Sequence, residues 1–208
     1  MGAAKLTFAM KTIRHLVRVC CFLALFGAAP VVSAGTSIVV SVPDQRLALV
    51  QDGVPVAQFA VSTSKFGVGD RRGSYATPLG TMEVASKIGA SAPLGAVFKS
   101  RMRTGEVLPP NAPGRDPIVT RILWLRGLEA RNADAYGRGI YIHGTPVERL
   151  IGRPASYGCI RMRSRDVVRL FDAVPVGTRI EVVNAPLHRA IAEAAMSHHL
   201  RNGHLAAN

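Results

Sequence analysis

From position 37 onward the chain reads as short apolar runs and apolar–polar alternations, broken by turn residues. Ser37 to Val42 (SIVVSV) and Arg46 to Val50 (RLALV) have strand length and β-rich composition, and Pro43-Asp44-Gln45 between them predicts a hairpin turn. Asp52-Gly53 is a second turn signal. Pro55 to Ser62 (PVAQFAVS) then alternates as a half-buried strand does, so the first three strands form an antiparallel meander. Gly80 to Ile88 (GTMEVASKI) is a fourth strand, entered through Thr77-Pro78-Leu79-Gly80. Thr120 to Leu125 (TRILWL), Gly139 to Ile142 (GIYI) and Thr178 to Val183 (TRIEVV) are further strands, and Trp124 is read as a core residue.

Helical patterning is confined to the C-terminal third. Ser164 is placed as the N-cap of a helix from Arg165 to about Ala173, with Val167, Leu170, Phe171 and Val174 on one face and Pro175 and Gly177 as stops. Asn184 is placed as the cap of a second helix from Pro186 to about Leu200, which either docks on the domain or frays as a tail. Residues 101–118 (RMRTGEVLPPNAPGRDPI) hold four prolines and two glycines, which argues against a regular element and for a substrate-facing flap or a disordered excursion. Many strands and few helices predict a mostly β domain, closed or sandwich-like, with one helix near the chemistry.

The first 34 residues carry a different pattern. Lys5, Lys11, Arg14 and Arg18 precede an apolar run from Val19 to Val32, and Val32-Ser33-Ala34 offers small residues for cleavage. The run is short for a bilayer span, which takes about 20 residues. It therefore reads as a secretory signal, with a retained anchor as the alternative, and divides the chain into a signal (1–34), a domain (35–184) and a C-terminal helix or tail (185–208). The protein is expected to be exported to the periplasm or cell wall, without stable membrane insertion after cleavage. The formal net charge is +13. The signal holds four of the 26 basic residues and none of the 13 acidic ones, which leaves +9. Such an excess suits an anionic partner such as an acidic wall polymer. The export signal, and the lack of a basic run interleaved with aromatics, argue against nucleic acid.

Of three cysteines only Cys159 lies beyond the signal, so no intrachain disulfide framework supports the fold. A lone thiol is either a buried small residue or a reactive group. The stretch IYIHGTPVERLIGRPASYGCIRM, from Ile140 to Met162, pairs it with one histidine. His143 sits at a strand end beside Gly144, and Cys159 follows the turn Ser156-Tyr157-Gly158. An imidazole can take a thiol's proton for attack on a carbonyl, a backbone carbonyl can fix the imidazole's tautomer, and amides in the turn can hold an oxyanion. Composition alone does not show that the two side chains meet. His188, His198, His199 and His204 are read as part of an exposed tail, and no metal or cofactor is called for.

The pair IHGT and SYGCIRM, with fifteen residues between His143 and Cys159, resembles the signature of the L,D-transpeptidases, the YkuD-like family. Ile38 to Val50 resembles that family's opening hairpin, Val61-to-Lys65 (VSTSK) and Ala76-to-Gly80 (ATPLG) resemble its next motifs, and ILWLRGLE before the histidine is similar too. The resemblance covers about residues 37–184. It implies a β-sandwich with a helix after the cysteine, and peptidoglycan tetrapeptide stems as substrate. It implies Cys159 as nucleophile and His143 as base, with Gly144, Gly158 and Ser156 in base-orienting and oxyanion roles. Arg161 would hold a stem carboxylate or else brace the turn. Tyr157, where the family usually has a second histidine, would face the substrate. Crosslinking, lipoprotein attachment and hydrolysis are all open, and a wall-binding module without turnover is the competing expectation.

Overall fold

The computed structural model describes residues 35–205, with side chains described through Met196. The expected signal and the side chains of His198, His199 and His204 lie outside these. Ten strands run β1 (Thr36–Ser41), β2 (Arg46–Gln51), β3 (Val54–Ala60), β4 (Gly80–Ile88), β5 (Ala96–Lys99), β6 (Met102–Val107), β7 (Ile118–Gly127), β8 (Tyr141–Gly144), β9 (Ile160–Met162) and β10 (Arg179–Val183). Two α-helices follow the last of the site strands, α1 (Ser164–Ala173) and α2 (Leu187–Leu205). The protein is thus mostly β, as its alternations predict.

All ten strands belong to one sheet, in the order β3-β2-β1-β10-β4-β7-β5-β6, with β8 branching from β7 and β9 from β8. The meander β1–β2–β3 is antiparallel. Pro55 is tolerated in β3 because that strand is an edge, where a missing N–H breaks no ladder. Two pairings are parallel: β1 with β10, and β8 with β9. Apolar residues from both ends of the sheet meet in one cluster. Ile38, Val40, Leu47 and Leu49 share it with Ile142, Ile160 and Met162, and Val167, Leu170 and Phe171 of α1 close it. The sheet therefore folds over its own core in sandwich fashion. Helix α2 packs outside, where Leu187 and Ala190 bury Val39, Ala48 and Val50.

Three expectations are corrected. Residues 102–107 are not irregular. They form the exposed strand β6, hairpinned to the unforeseen β5, with Gly105 at a φ of +89°. An edge strand open to solvent on both faces needs no alternation, so no pattern announces it. Ser164 does not cap α1; Arg163 holds that position. Ser164 is the first helical residue, its N–H donating to the Glu148 carboxylate at 2.8 Å and its Oγ accepting from Thr120 at 2.8 Å. Trp124 is half-buried beside Tyr141 and Cys159, on the sheet face opposite the main core. It stacks on Tyr136, with ring centres 4.1 Å apart.

Candidate active site

The parallel pair β8–β9 decides which side chains share a face. Ile142 is opposite Ile160 and Gly144 opposite Met162, and these isoleucines and Met162 point into the main core. Successive strand residues alternate, so Tyr141 and His143 on β8, with Cys159 and Arg161 on and beside β9, face the other way. Tyr141 and Cys159 indeed pack together against a second apolar cluster that includes Phe98 and Ile122. His143 lies opposite Arg161, and Cys159 lies one strand over and two residues back. That diagonal is about 4.8 Å across and about 6.6 Å along, within reach of side chains leaning along the strand.

Local bracing fixes both groups. His143 Nδ1 lies 2.8 Å from the Gly144 carbonyl, which only accepts, so Nδ1 carries the hydrogen and Nε2 keeps the basic lone pair. Gly144 is required by space, since a Cβ there would come within 2.6 Å of the Val119 carbonyl. Val119 borders a bulge in β7, where Thr120 takes a φ of +72°. Bulges of this kind re-aim strands beside functional sites. In the turn before Cys159, the Ser156 hydroxyl donates to the Cys159 carbonyl at 2.6 Å and accepts from the Gly158 N–H at 3.2 Å. Gly158 needs its lack of a side chain, with φ at +116° and the Ala76 carbonyl 3.2 Å from a built Cβ.

The segments VSTSK and ATPLG supply the frame that holds this turn. Thr63's carbonyl accepts the Ala155 and Ser156 amides, both at 2.9 Å. Ser62 and Arg161 exchange both backbone hydrogen bonds at 2.9 Å. Thr77 Oγ1 donates to the Gly158 carbonyl at 3.0 Å. Gln45, from the first hairpin, donates to Thr63 Oγ1 at 2.7 Å and accepts the Thr63 N–H at 2.8 Å. These short polar side chains satisfy main-chain groups that have no ladder partner, which a buried loop requires.

Arg161 is 4% exposed, and its guanidinium is ion-paired to Asp116 and donates to Ser62 Oγ at 3.2 Å. Its buried Nε has no hydrogen-bond partner. Asp116 comes from the loop between β6 and β7 and also accepts from the Thr145 hydroxyl. The sequence marked that loop but not this carboxylate; nothing in Arg115-Asp116-Pro117 singles it out. A second buried pair, Arg138 with Asp70 at 2.7 Å, ties the 65–77 segment to the wall, with Arg138 donating to the Ala76 carbonyl at 2.7 Å. Arg138, Tyr75, Tyr157, Gly139 and Cys159 line a cavity of about 260 Å³. A larger cavity of about 440 Å³ lies between β1, β10 and α2 and contains none of these residues.

Electrostatics hold both candidate groups neutral. Burial pushes the Cys159 thiol up to about 11, against the smaller opposing effects of the Tyr141 amide and the Arg138 and Arg161 charges. The thiol donates to the Gly139 carbonyl at 3.4 Å. Burial pushes His143 down to about 4; the Gly144 carbonyl opposes this, Arg161 reinforces it, and Asp116 opposes it. A resting thiolate–imidazolium pair is therefore disfavoured near neutral pH. Chemistry at this thiol would need its proton to leave as a bond forms at sulfur. Among the described residues no group of three or more His, Cys, Asp or Glu could hold a metal ion, and no helix is long and apolar enough to cross a membrane.

Known proteins similar to this chain share one family. The protein YqjB of Bacillus subtilis (strain 168) is 41% identical over 83 residues, 40% of this chain and 43% of that one. The "Probable L,D-transpeptidase YcfS" of Escherichia coli (strain K12) is 30% identical over 156 residues, 72% of this chain and 44% of that one. The matched stretches span less than half the length of either relative. Among solved structures, an L,D-transpeptidase from Xylanimonas cellulosilytica is 22% identical with a TM-score of 0.48, covering 74% of this chain and 63% of that one. The family model described as "YkuD: L,D-transpeptidase catalytic domain" matches residues 35–182, nearly everything from β1 to the end of β10, and the chain belongs to that family.

Proposed function

We propose that this chain is an exported cysteine acyltransferase that acts on peptidoglycan tetrapeptide stems. The observation that carries the reading is the placement of Cys159 and His143 on one face of the β8–β9 pair, with Cys159 in the wall of a cavity of about 260 Å³. The Cys159 sulfur attacks the carbonyl of the amide before the terminal D-Ala while its proton passes to His143 Nε2. The Tyr141 amide and the Arg138 charge favour the thiolate as it forms. Amides of the Gly158–Cys159 turn take the oxyanion, with Ser156 holding the turn in shape. The imidazolium then protonates the leaving D-Ala amine, and the acyl group stays on sulfur until an acceptor removes it.

Arg161 fits a bracing role better than direct carboxylate binding, because Asp116 and Ser62 already occupy its guanidinium. The polymer substrate and the basic surface agree with a place outside the cytoplasmic membrane. The deciding experiment incubates the chain from residue 35 with a tetrapeptide stem and measures free D-Ala. Wild type should release D-Ala and form a thioester adduct at Cys159, and Cys159→Ala should lower release at least about a thousandfold. Stem binding without release in wild type would leave only the wall-binding module.

A further inference from the structure

Two exposed aromatic side chains line the Cys159 cavity, Tyr75 at 56% and Tyr157 at 61%, and a third, Phe66 at 50%, packs against both. Their ring centres lie 5.8, 5.5 and 5.9 Å apart, at 42°, 51° and 90° to one another, so they form a cup and not a flat platform. Contiguous exposed apolar surface on a cavity rim marks a contact site more often than a folding need. The cup is also held in place. Tyr75 takes a φ of +54°, an uncommon conformation for a bulky residue, while its carbonyl accepts from the Ser64 hydroxyl at 2.5 Å. The Lys65 N–H donates to the Ser156 carbonyl at 3.2 Å, beside Tyr157.

A primary ammonium already occupies this cup. Lys65 Nζ lies 4.4 Å from the Tyr157 ring centre and 5.2 Å from that of Phe66, and it donates to the Tyr157 hydroxyl at 3.0 Å. Tyr75 and Tyr157 line the same cavity as Cys159. We propose that the cup is the receiving site for the primary ammonium of the acyl acceptor, and that Lys65 is a resident side chain which yields the place to it. This rests on the acyl-transfer reading above.

The π faces attract the acceptor cation, and the Tyr157 hydroxyl accepts one of its hydrogen bonds. Of the three ammonium protons, one passes to solvent as the amine becomes free. The amine then attacks the thioester carbonyl, the new C–N bond forming as the C–S bond breaks. A second proton travels through His143 to the departing sulfur, and the third stays on the new amide. Water carries no charge and gains nothing from the cup, so the device favours transfer over hydrolysis. Tyr157, in place of the histidine usual at this point in the family's motif, supplies a π face that remains uncharged as the pH falls, where an imidazole would become a cation.

The test charges Cys159 with a tetrapeptide donor, offers Nα-acetyl-lysine amide, and reads the ratio of transfer to hydrolysis by mass spectrometry. Lys65→Met, which removes the resident ammonium, should raise that ratio about three- to tenfold, and Phe66→Leu or Tyr157→Leu should lower it about two- to fivefold each. Tyr157→Phe keeps the π face and should fall between Tyr157→Leu and wild type. If Lys65→Met instead raises the KM for donor and leaves the ratio alone, Lys65 is a donor contact and the proposal is wrong. Should wild type release no D-Ala, the acyl-transfer reading fails by itself. The cup is then read separately, by titrating the same lysine derivative into the Cys159→Ala protein with and without Lys65→Met and following the Tyr75 and Tyr157 amides by NMR. Unchanged affinity on removing the resident ammonium overturns it.

Discussion

The inner wall of the site and its outer rim are built on opposite principles. The wall holds His143, Arg161 and Ser156, all nearly inaccessible, each tied to main chain or to a buried partner. The rim holds Lys65, Phe66, Tyr75 and Tyr157, exposed and tied chiefly to one another. Burial on the wall keeps thiol and imidazole neutral and makes the positions of charges costly to change. Exposure on the rim leaves its residues free to meet a partner. Stability and protonation should therefore depend on the wall, and the choice of acceptor on the rim.

The sharpest way to break this division is to strip the buried guanidinium of its counter-charge. Arg161's side chain is 5% exposed whereas Asp116's is 31% exposed. Asp116→Ala leaves a buried cation unpaired and should destabilise the protein by about 3–5 kcal/mol. Arg161→Met leaves a carboxylate that water can still reach, and should cost less. Denaturant titration of the two variants and of the double variant measures the asymmetry. Equal losses would mean that the pair behaves like a surface bridge and that the wall is wetter than its packing implies.

A second measurement concerns His143. Its folded value of about 4 lies below the ordinary 6.5, so the unfolded chain binds the proton more readily. The neutral ring contributes no pH dependence above about 6.5, and stability falls as pH drops from there to about 4, by roughly 3 kcal/mol in all. Urea titrations between pH 5 and 7 isolate most of this window from carboxylate protonation. His143→Gln should flatten the slope. A slope unchanged by that variant would assign it to another group.

How much of this was legible beforehand varies with how local the signal is. The turns at Pro43-Asp44-Gln45 and Asp52-Gly53, strand β4 and the apolar face of α1 were all readable, because turn chemistry and residue period are written into neighbouring positions. The site motif showed which histidine and which cysteine to consider. It did not show that they share a face, because that follows from the parallel β8–β9 register and the three-residue strand β9, which the sequence reading left unassigned. Asp116 and the Lys65–Phe66–Tyr75 cup were missed for the same reason. Their partners are distant in sequence, and a polar or aromatic residue in a loop has no period to betray its role. The raised thiol is also a tertiary property. The motif alone favours an easily ionised cysteine, and only burial reverses that.

The smallest expected effect falls on the rim and tests the comparison from its other side. Tyr157→His restores the residue usual in the family's motif and removes a side chain that is 61% exposed. Surface substitutions of this kind change stability by no more than about 0.5 kcal/mol, so denaturant midpoints should barely move. Acceptor preference should move instead. An exposed imidazole titrates near 6.5, and once protonated it repels the Lys65 ammonium and any incoming one. The ratio of transfer to hydrolysis in this variant should therefore fall as pH drops from about 7.5 to about 5.5, while the Tyr157 protein keeps a flat ratio across that range. A stability loss above about 1 kcal/mol would show that Tyr157 supports the turn before Cys159 and that rim and wall are one structural unit.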